Sequence, residues 1–443
     1  MNNEEMAQLL VELCLSEGAS DATASMGTGG QCMVRFSNNE ITVVDSLRHR
    51  SGSLFVNVEG RRASTNVVEL DQRALRTAAR KAVAIARASP AGDEHVPLPN
   101  GPFRYDPALL SSPRVGLDPE SPAAWVQEAV SAGLKEGAER MAGSLIVNDG
   151  ERTLATSGGV LATTEGGSIE LSVRAFGKGQ ASGASVSLAV DEEGLNPSAT
   201  GADAGRQARM ASEPVQGEAG IMDAVLGPMV MASLMNQVGR MASAFHIDTG
   251  MSFLAGRLGQ EVASPSFTLL DDPTMPGTYG SSPFDAEGLP TKRTAIVEDG
   301  VFKTYLHNST TAKRHGTAST ANAGLIAPRP FNLVMSGGRE DLDSLIRSVD
   351  RGVLVTNCWY LRFQNYTSGD FSTIPRDAMF LIKNGELAGS IKELRLTGNM
   401  PQMLRDLEGA TRERQWISWW EVSTPTLAPH ALIRNVRFTQ SSR

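Results

Sequence analysis

Apolar residues recur at helical spacing near the start of the chain. Met6, Leu9, Leu10, Leu13 and Cys14 fall on one face of a helix expected over roughly Glu4–Glu17, with Gly18 as its stop. Two-residue alternation follows: Cys32–Phe36 leads into a turn at Ser37–Glu40, and Ile41–Val44 returns. Ser53–Val58 reads as another strand, ended by Glu59-Gly60. Asp71 then caps a helix that turns Leu75, Ala78, Ala79, Ala82, Val83 and Ala86 inward.

Between residues 89 and 120 the prolines Pro90, Pro97, Pro99, Pro102, Pro107, Pro113 and Pro119 mark a surface crossing. A helix is expected over Trp125–Met141. In Ser168–Ala175 the apolar set is Ile169, Leu171, Val173 and Ala175; in Ser185–Val190 it is Val186, Leu188 and Val190. Strands buried on one face belong to an antiparallel sheet. A helix near 199–212 closes the first half, with a boundary near Pro214. Ile221–Phe245 carries Met222, Met229, Met231, Met235 and Met241 at helical spacing, a pattern of core, of a subunit interface or of a flexible peptide-contact surface. Strand and turn signals dominate beyond it, apart from short helices near 340–349 and 399–408. The expected class is α+β in two domains. Residues 1–214 form an N-terminal helix and antiparallel-sheet domain, and 215–443 a β-rich C-terminal domain.

Composition narrows the class further. At 443 residues the chain exceeds one ordinary core. No stretch approaches the roughly 18 apolar residues of a membrane span, and the acidic start, with Glu4 and Glu5, is unlike a signal peptide. Cys14, Cys32 and Cys358 lie too far apart for a disulfide framework or a zinc pair, so a cytoplasmic setting is expected. Net charge is −8 with both signs interspersed. The densest basic run, Arg73, Arg76, Arg80, Lys81 and Arg87, fits a solvated helix face, which disfavours direct nucleic-acid binding.

Few residues are spaced for catalysis. There is no Gly-x-Ser-x-Gly elbow, and no cysteine has a neighbouring histidine. Cys358, flanked by apolar and aromatic residues, reads as a buried thiol. No two of the six histidines (His49, His95, His246, His307, His315, His430) have the three- or four-residue spacing of a helical zinc site; His307 and His315 come closest. Asn365–Ser372 packs amide, hydroxyl and carboxylate groups around a glycine. Such a segment either grips an extended peptide or forms a polar hairpin loop with Asx turns.

From Phe284 to Leu306, Ala312 to Gly324, Asn365 to Ser372, Lys383 to Glu386 and Leu396 to Asn399, the chain resembles the TldD/TldE family, in which TldE is also called PmbA. The resemblance implies a PmbA/TldD-like fold and a heterodimer. In that pair the TldD subunit holds zinc with an H-E-x-x-x-H helix and a late cysteine. Here Asn236, Gln237, Arg240 and Met241 stand in the motif helix, and no cysteine follows Asn399. The chain therefore resembles the TldE side: a metallopeptidase subunit with no catalytic residue, metal ligand or cofactor of its own, paired with a zinc-bearing TldD-like partner. Unfolded, leader or modified peptides are the implied substrates. Asn365, Thr367, Gly369, Asp370 and Ser372 are the candidate peptide contacts, and Trp416, Trp419 and Trp420 the candidate interface. Two alternatives stay open: a regulatory binding protein, matching the family's older description as a modulator of DNA gyrase, and a self-sufficient homodimer without metal.

Overall fold

The computed structural model describes residues 1–92 and 96–440; His95 lies outside the described residues. The N-terminal half is built on a six-stranded antiparallel sheet ordered β3-β2-β1-β4-β5-β6. Its strands are β1 (Asp21–Ser37), β2 (Glu40–Val58), β3 (Arg61–Val67), β4 (Arg140–Thr156), β5 (Leu161–Phe176) and β6 (Ser182–Ala189). Helices α1 (Asn3–Ser16), α2 (Gln72–Ala88), α4 (Glu120–Lys135) and α5 (Pro197–Met210) pack on one face of this sheet, and the short α3 (Pro107–Leu110) sits in the proline-rich crossing. Two apolar clusters fill that layer. Met6, Leu10 and Cys14 of α1 meet Leu75, Ala79 and Val83 of α2 over Ala24 and Leu54, while Val126 and Ala204 meet Val147, Leu171 and Val173.

Local chemistry sets the element ends. Asn2 and Glu5 form a capping box on α1, and the Asp71 carboxylate accepts from the Ala74 N–H to open α2. The β1–β2 hairpin turns on Asn38 and Asn39, both with positive φ, which asparagine tolerates in two-residue turns. Three sequence expectations change. Ile41–Val44 and Ser53–Val58 belong to one continuous strand, β2. The helix expected to reach Met141 stops at Lys135, because Gly137 (φ +103°) turns the chain and Met141 enters β4. Ile221–Leu226 is strand rather than helix.

The C-terminal half forms a twelve-stranded mixed sheet. In chain order its elements are β7 (Val215–Gln216), β8 (Gly220–Leu226), α6 (Pro228–Met241), α7 (Ala244–Asp248), β9 (Leu269–Asp271), β10 (Thr294–Glu298) and β11 (Val301–Phe302). Then come α8 (Ser309–Arg314), β12 (Leu333–Met335), α9 (Leu342–Arg347), β13 (Arg351–Asn365), β14 (Asp370–Lys383), β15 (Glu386–Lys392) and β16 (Leu394–Asn399). The helix α10 (Met400–Arg405) and strands β17 (Leu407–Trp419) and β18 (Val422–Gln440) follow. β18 is the hub: it pairs with β12, β8, β16 and β17. All five methionines of the 221–245 stretch are buried, with Met231, Met235 and Met241 at 1% exposure or less, so they are core.

The two sheets pack together. Gln415 on β17 donates to the Val186 carbonyl at 3.0 Å, and Arg174 on β5 pairs with the fully buried Asp377 of β14 at 2.6 Å. Beside that seam, Phe284 packs among Leu154, Val160 and Ala162, with Tyr105 against it. Among the described residues no helix is long and apolar enough to cross a membrane.

Candidate functional site

The motif-bearing helix is α6. Pro228 opens it, and Gly227 precedes it where a Cβ would come within 3.1 Å of the Thr356 carbonyl oxygen. Almost the whole helix is buried between β18 and β13. Asn236 is fully engaged: its amide donates to the Thr424 carbonyl (2.9 Å) and the Thr426 hydroxyl (2.7 Å), and its carbonyl accepts from the Thr424 N–H (2.9 Å). Met241 is enclosed in the core. Gln237 Oε1 is buried with no hydrogen-bond partner among the described residues. Arg240 reaches outward, its Cζ 5.7 Å from the Tyr366 ring centre.

The hairpin between β13 and β14 meets this helix end. Besides the Arg240–Tyr366 stack, the Thr367 hydroxyl donates to the Gly250 carbonyl at 3.1 Å. Asn365 Oδ1 accepts from the N–H groups of Thr367 and Ser368, an Asx turn, and Gly369 supplies φ +80°. Hydrogen bonds from the Ser368 hydroxyl and the Asn399 amide hold the Asp370 carboxyl below its usual range. Ser372 is buried, its hydroxyl accepting from Gln364 and Arg395, so it does not share the exposed tip. Next to the tip, His246 Nδ1 is buried with no hydrogen-bond partner among the described residues. Desolvation, then the Arg240 charge, pushes its pKa down.

The structure also gathers His307, His315 and Asp248, which sequence spacing had left apart. The two rings lie 5.2 Å apart, and His315 Nε2 stands 2.7 Å from Asp248, which also receives Arg314. His307 Nδ1 faces the Thr311 hydroxyl at 3.2 Å, and burial, then His315, pushes its pKa down to about 4. An Asn308–Thr311 capping box opens α8 between the two histidines.

Nearby, buried carboxyls organise the 284–324 stretch. Asp285 accepts from the N–H groups of Glu287, Leu289 and Ala323; Asp271 accepts from those of Phe331 and Asn332 and from the Asn322 amide. Desolvation is the larger influence on both and pushes each pKa up to about 7.

Aromatic residues converge elsewhere. Trp419 is buried and Trp420 is 55% exposed at the β17–β18 turn, and Trp420 lies 5.2 Å from Trp359 and 5.5 Å from Tyr360. Trp416, opposite Leu427, joins none of these ring contacts among the described residues. Cys358 is buried, its pKa pushed up to about 11 by desolvation, which makes it a poor nucleophile.

Zinc fits poorly on α6. An amide tied to β18, a core thioether and a guanidinium offer neither imidazole nor carboxylate, and the cation opposes a divalent ion. Among the described residues no three His, Cys, Asp or Glu side chains are placed to hold a metal ion.

Residues 219–440 match the profile described as the PmbA/TldA metallopeptidase C-terminal domain. The chain belongs to the PmbA/TldD family. A metalloprotease of Methanothermobacter thermautotrophicus is 31% identical over 51% of this chain and 51% of its own length. A PmbA homologue of Haemophilus influenzae is 34% identical over 35% of this chain and 33% of that protein. The chain thus aligns with about half the length of these curated PmbA/TldD relatives or less. Among solved structures, TldE from Thermococcus kodakarensis superposes with a TM-score of 0.85 at 20% identity, covering 98% of this chain and 99% of that one. A protein described as a modulator of DNA gyrase from Thermotoga maritima gives 0.83 at 23% identity, over 99% and 100%. At these identities the structural likeness establishes the fold: a PmbA/TldD metallopeptidase-like α+β architecture.

Proposed function

We propose that this chain is the non-catalytic, TldE/PmbA-like subunit of a heterodimeric zinc peptidase. It pairs in the cytoplasm with a TldD-like subunit that carries the zinc, and helps hold unfolded, leader or modified peptides. The observation that carries this reading is the state of α6, where Asn236 is bound into β18 and Arg240 projects a cation where a metal motif would stand. In the partner, zinc would activate water and polarise the scissile carbonyl. This chain's part is to wall the cleft and position the peptide. The Asn365–Asp370 tip, which meets the motif-bearing helix where Arg240 lies over Tyr366, offers a polar surface for the peptide, and the exposed Trp420 patch offers a contact for a partner.

The test is zinc content and peptide cleavage by the purified chain, alone and with a TldD-like protein. Cleavage only in the mixture, with zinc in the partner, is expected; stoichiometric zinc or cleavage by the chain alone overturns the reading. A second reading, a regulatory binding protein, draws on the gyrase-modulator description of the Thermotoga maritima protein. It requires the purified chain to alter gyrase supercoiling with no partner present.

A further inference from the structure

On the N-terminal sheet the helices cover one face; much of the other is left bare. Residues directly opposite in an antiparallel pair share a face, so Gly29, Gly150 and Gly166 form a row across β1, β4 and β5. The neighbouring row runs Ser51, Gly27, Arg152, Thr164. With no side chains in the first row, backbone is the floor of a cleft of about 820 Å³, closed on one side by residues 277–283 of the C-terminal half.

Two arginines line this cleft, Arg50 on β2 and Arg152 on β4, and of the two it is Arg152 that shares the face of the glycine row. Its guanidinium lies 5.5 Å from the Phe284 ring centre, and among the described residues its side chain makes no hydrogen bond or ion pair. It is open to solvent, yet the surrounding walls and the nearby Arg329 charge both push its pKa down. The carboxylates along the cleft are already engaged: Asp149 by Arg114, Glu151 by the Asn3 amide and Glu165 by the Ser111 hydroxyl. The cation is uncompensated.

We propose that this cleft binds an extended peptide segment bearing an acidic side chain, whose carboxylate is received by the Arg152 guanidinium. A planar guanidinium suits a carboxylate through paired hydrogen bonds. The lining crosses five strands, from Asn66 on β3 through Ser51, Gly27 and Gly150 to Gly166 on β5. At about 4.8 Å per strand that is roughly 20 Å, the length of about six extended residues. It continues past Arg152 in both directions, so the anion sits mid-chain and is a side chain rather than a terminal carboxylate. The peptide class rests on the proposed subunit role; the demand for negative charge rests on the cleft.

Fluorescence anisotropy with the full chain tests this, using a labelled, C-terminally amidated peptide with a central Glu and its Gln counterpart. The Glu peptide is expected to bind about tenfold more tightly or better, the scale of a charge-assisted hydrogen bond. Arg152→Gln erases that preference, and Arg152→Lys restores part of it. Equal affinity for the two peptides, no binding of the Glu peptide, or an unchanged preference in Arg152→Gln overturns the proposal. Cleavage with the TldD-like partner but no Glu preference here would sink this inference alone. Glu-selective binding here with a silent partner assay would sink the subunit reading alone.

Discussion

Asp285 holds three backbone N–H groups from two separate segments, two on Oδ1 and one on Oδ2. Asp285→Asn turns one acceptor oxygen into a donor facing an N–H. A loss of about 1–3 kcal/mol in urea denaturation is expected, the cost of leaving buried groups unpaired. The pH dependence follows from linkage. Unfolded carboxyls titrate near about 4, whereas Asp285 is pushed up to about 7 in the folded chain. The native state therefore binds the proton more tightly, and that stabilisation is full below about pH 4 and lost as pH rises through 7. The wild-type advantage over Asp285→Asn should narrow between pH 5 and pH 8; a widening gap would mean the carboxylate form is the preferred one.

Helix α6 is committed to its core role. The triple change Asn236→His, Gln237→Glu, Met241→His rewrites the zinc motif, yet Met241 is enclosed and Asn236 serves Thr424 and Thr426. We expect substoichiometric zinc by elemental analysis, and destabilisation of about 2 kcal/mol or more from the orphaned strand groups and the buried imidazole. Legibility in the sequence followed burial contrast. The helices α1 and α2 and the strand β5 each expose one face, so their periods could be read, down to the Asp71 cap. β2 is exposed from Thr42 through Ser51, so it has no alternation and its middle was missed. β8 fails in the opposite way: it lies between β18 and β13, and most of it is apolar and buried, a run that periodicity cannot separate from helix. At the candidate site the degenerate motif and the polar hairpin were readable one at a time. Their meeting through Arg240 and Tyr366 was not, because residues far apart in sequence are joined only by the closed sheet.

For the molecule as a whole, the exposed aromatic patch is the sharpest test of partnership. Trp420→Ala removes a half-exposed ring beside Trp359 and Tyr360. If the patch is the contact, affinity for the TldD-like subunit should fall about tenfold or more while the thermal midpoint holds; unchanged pairing would place the interface elsewhere. The hub position of β18 has a separate consequence, for the order of events on the ribosome. Every strand of the first sheet has emerged by Ala189, so that half can condense while synthesis continues. The second sheet has no such freedom: β8, β12 and β16 can meet β13, β9 and β14 earlier, but each lacks its other partner, and β17 lacks any, until Val422–Gln440 emerges. A nascent chain halted before Val422 would carry a finished sheet tethered to an apolar half with its central slot vacant, a species that chaperones and proteases should recognise.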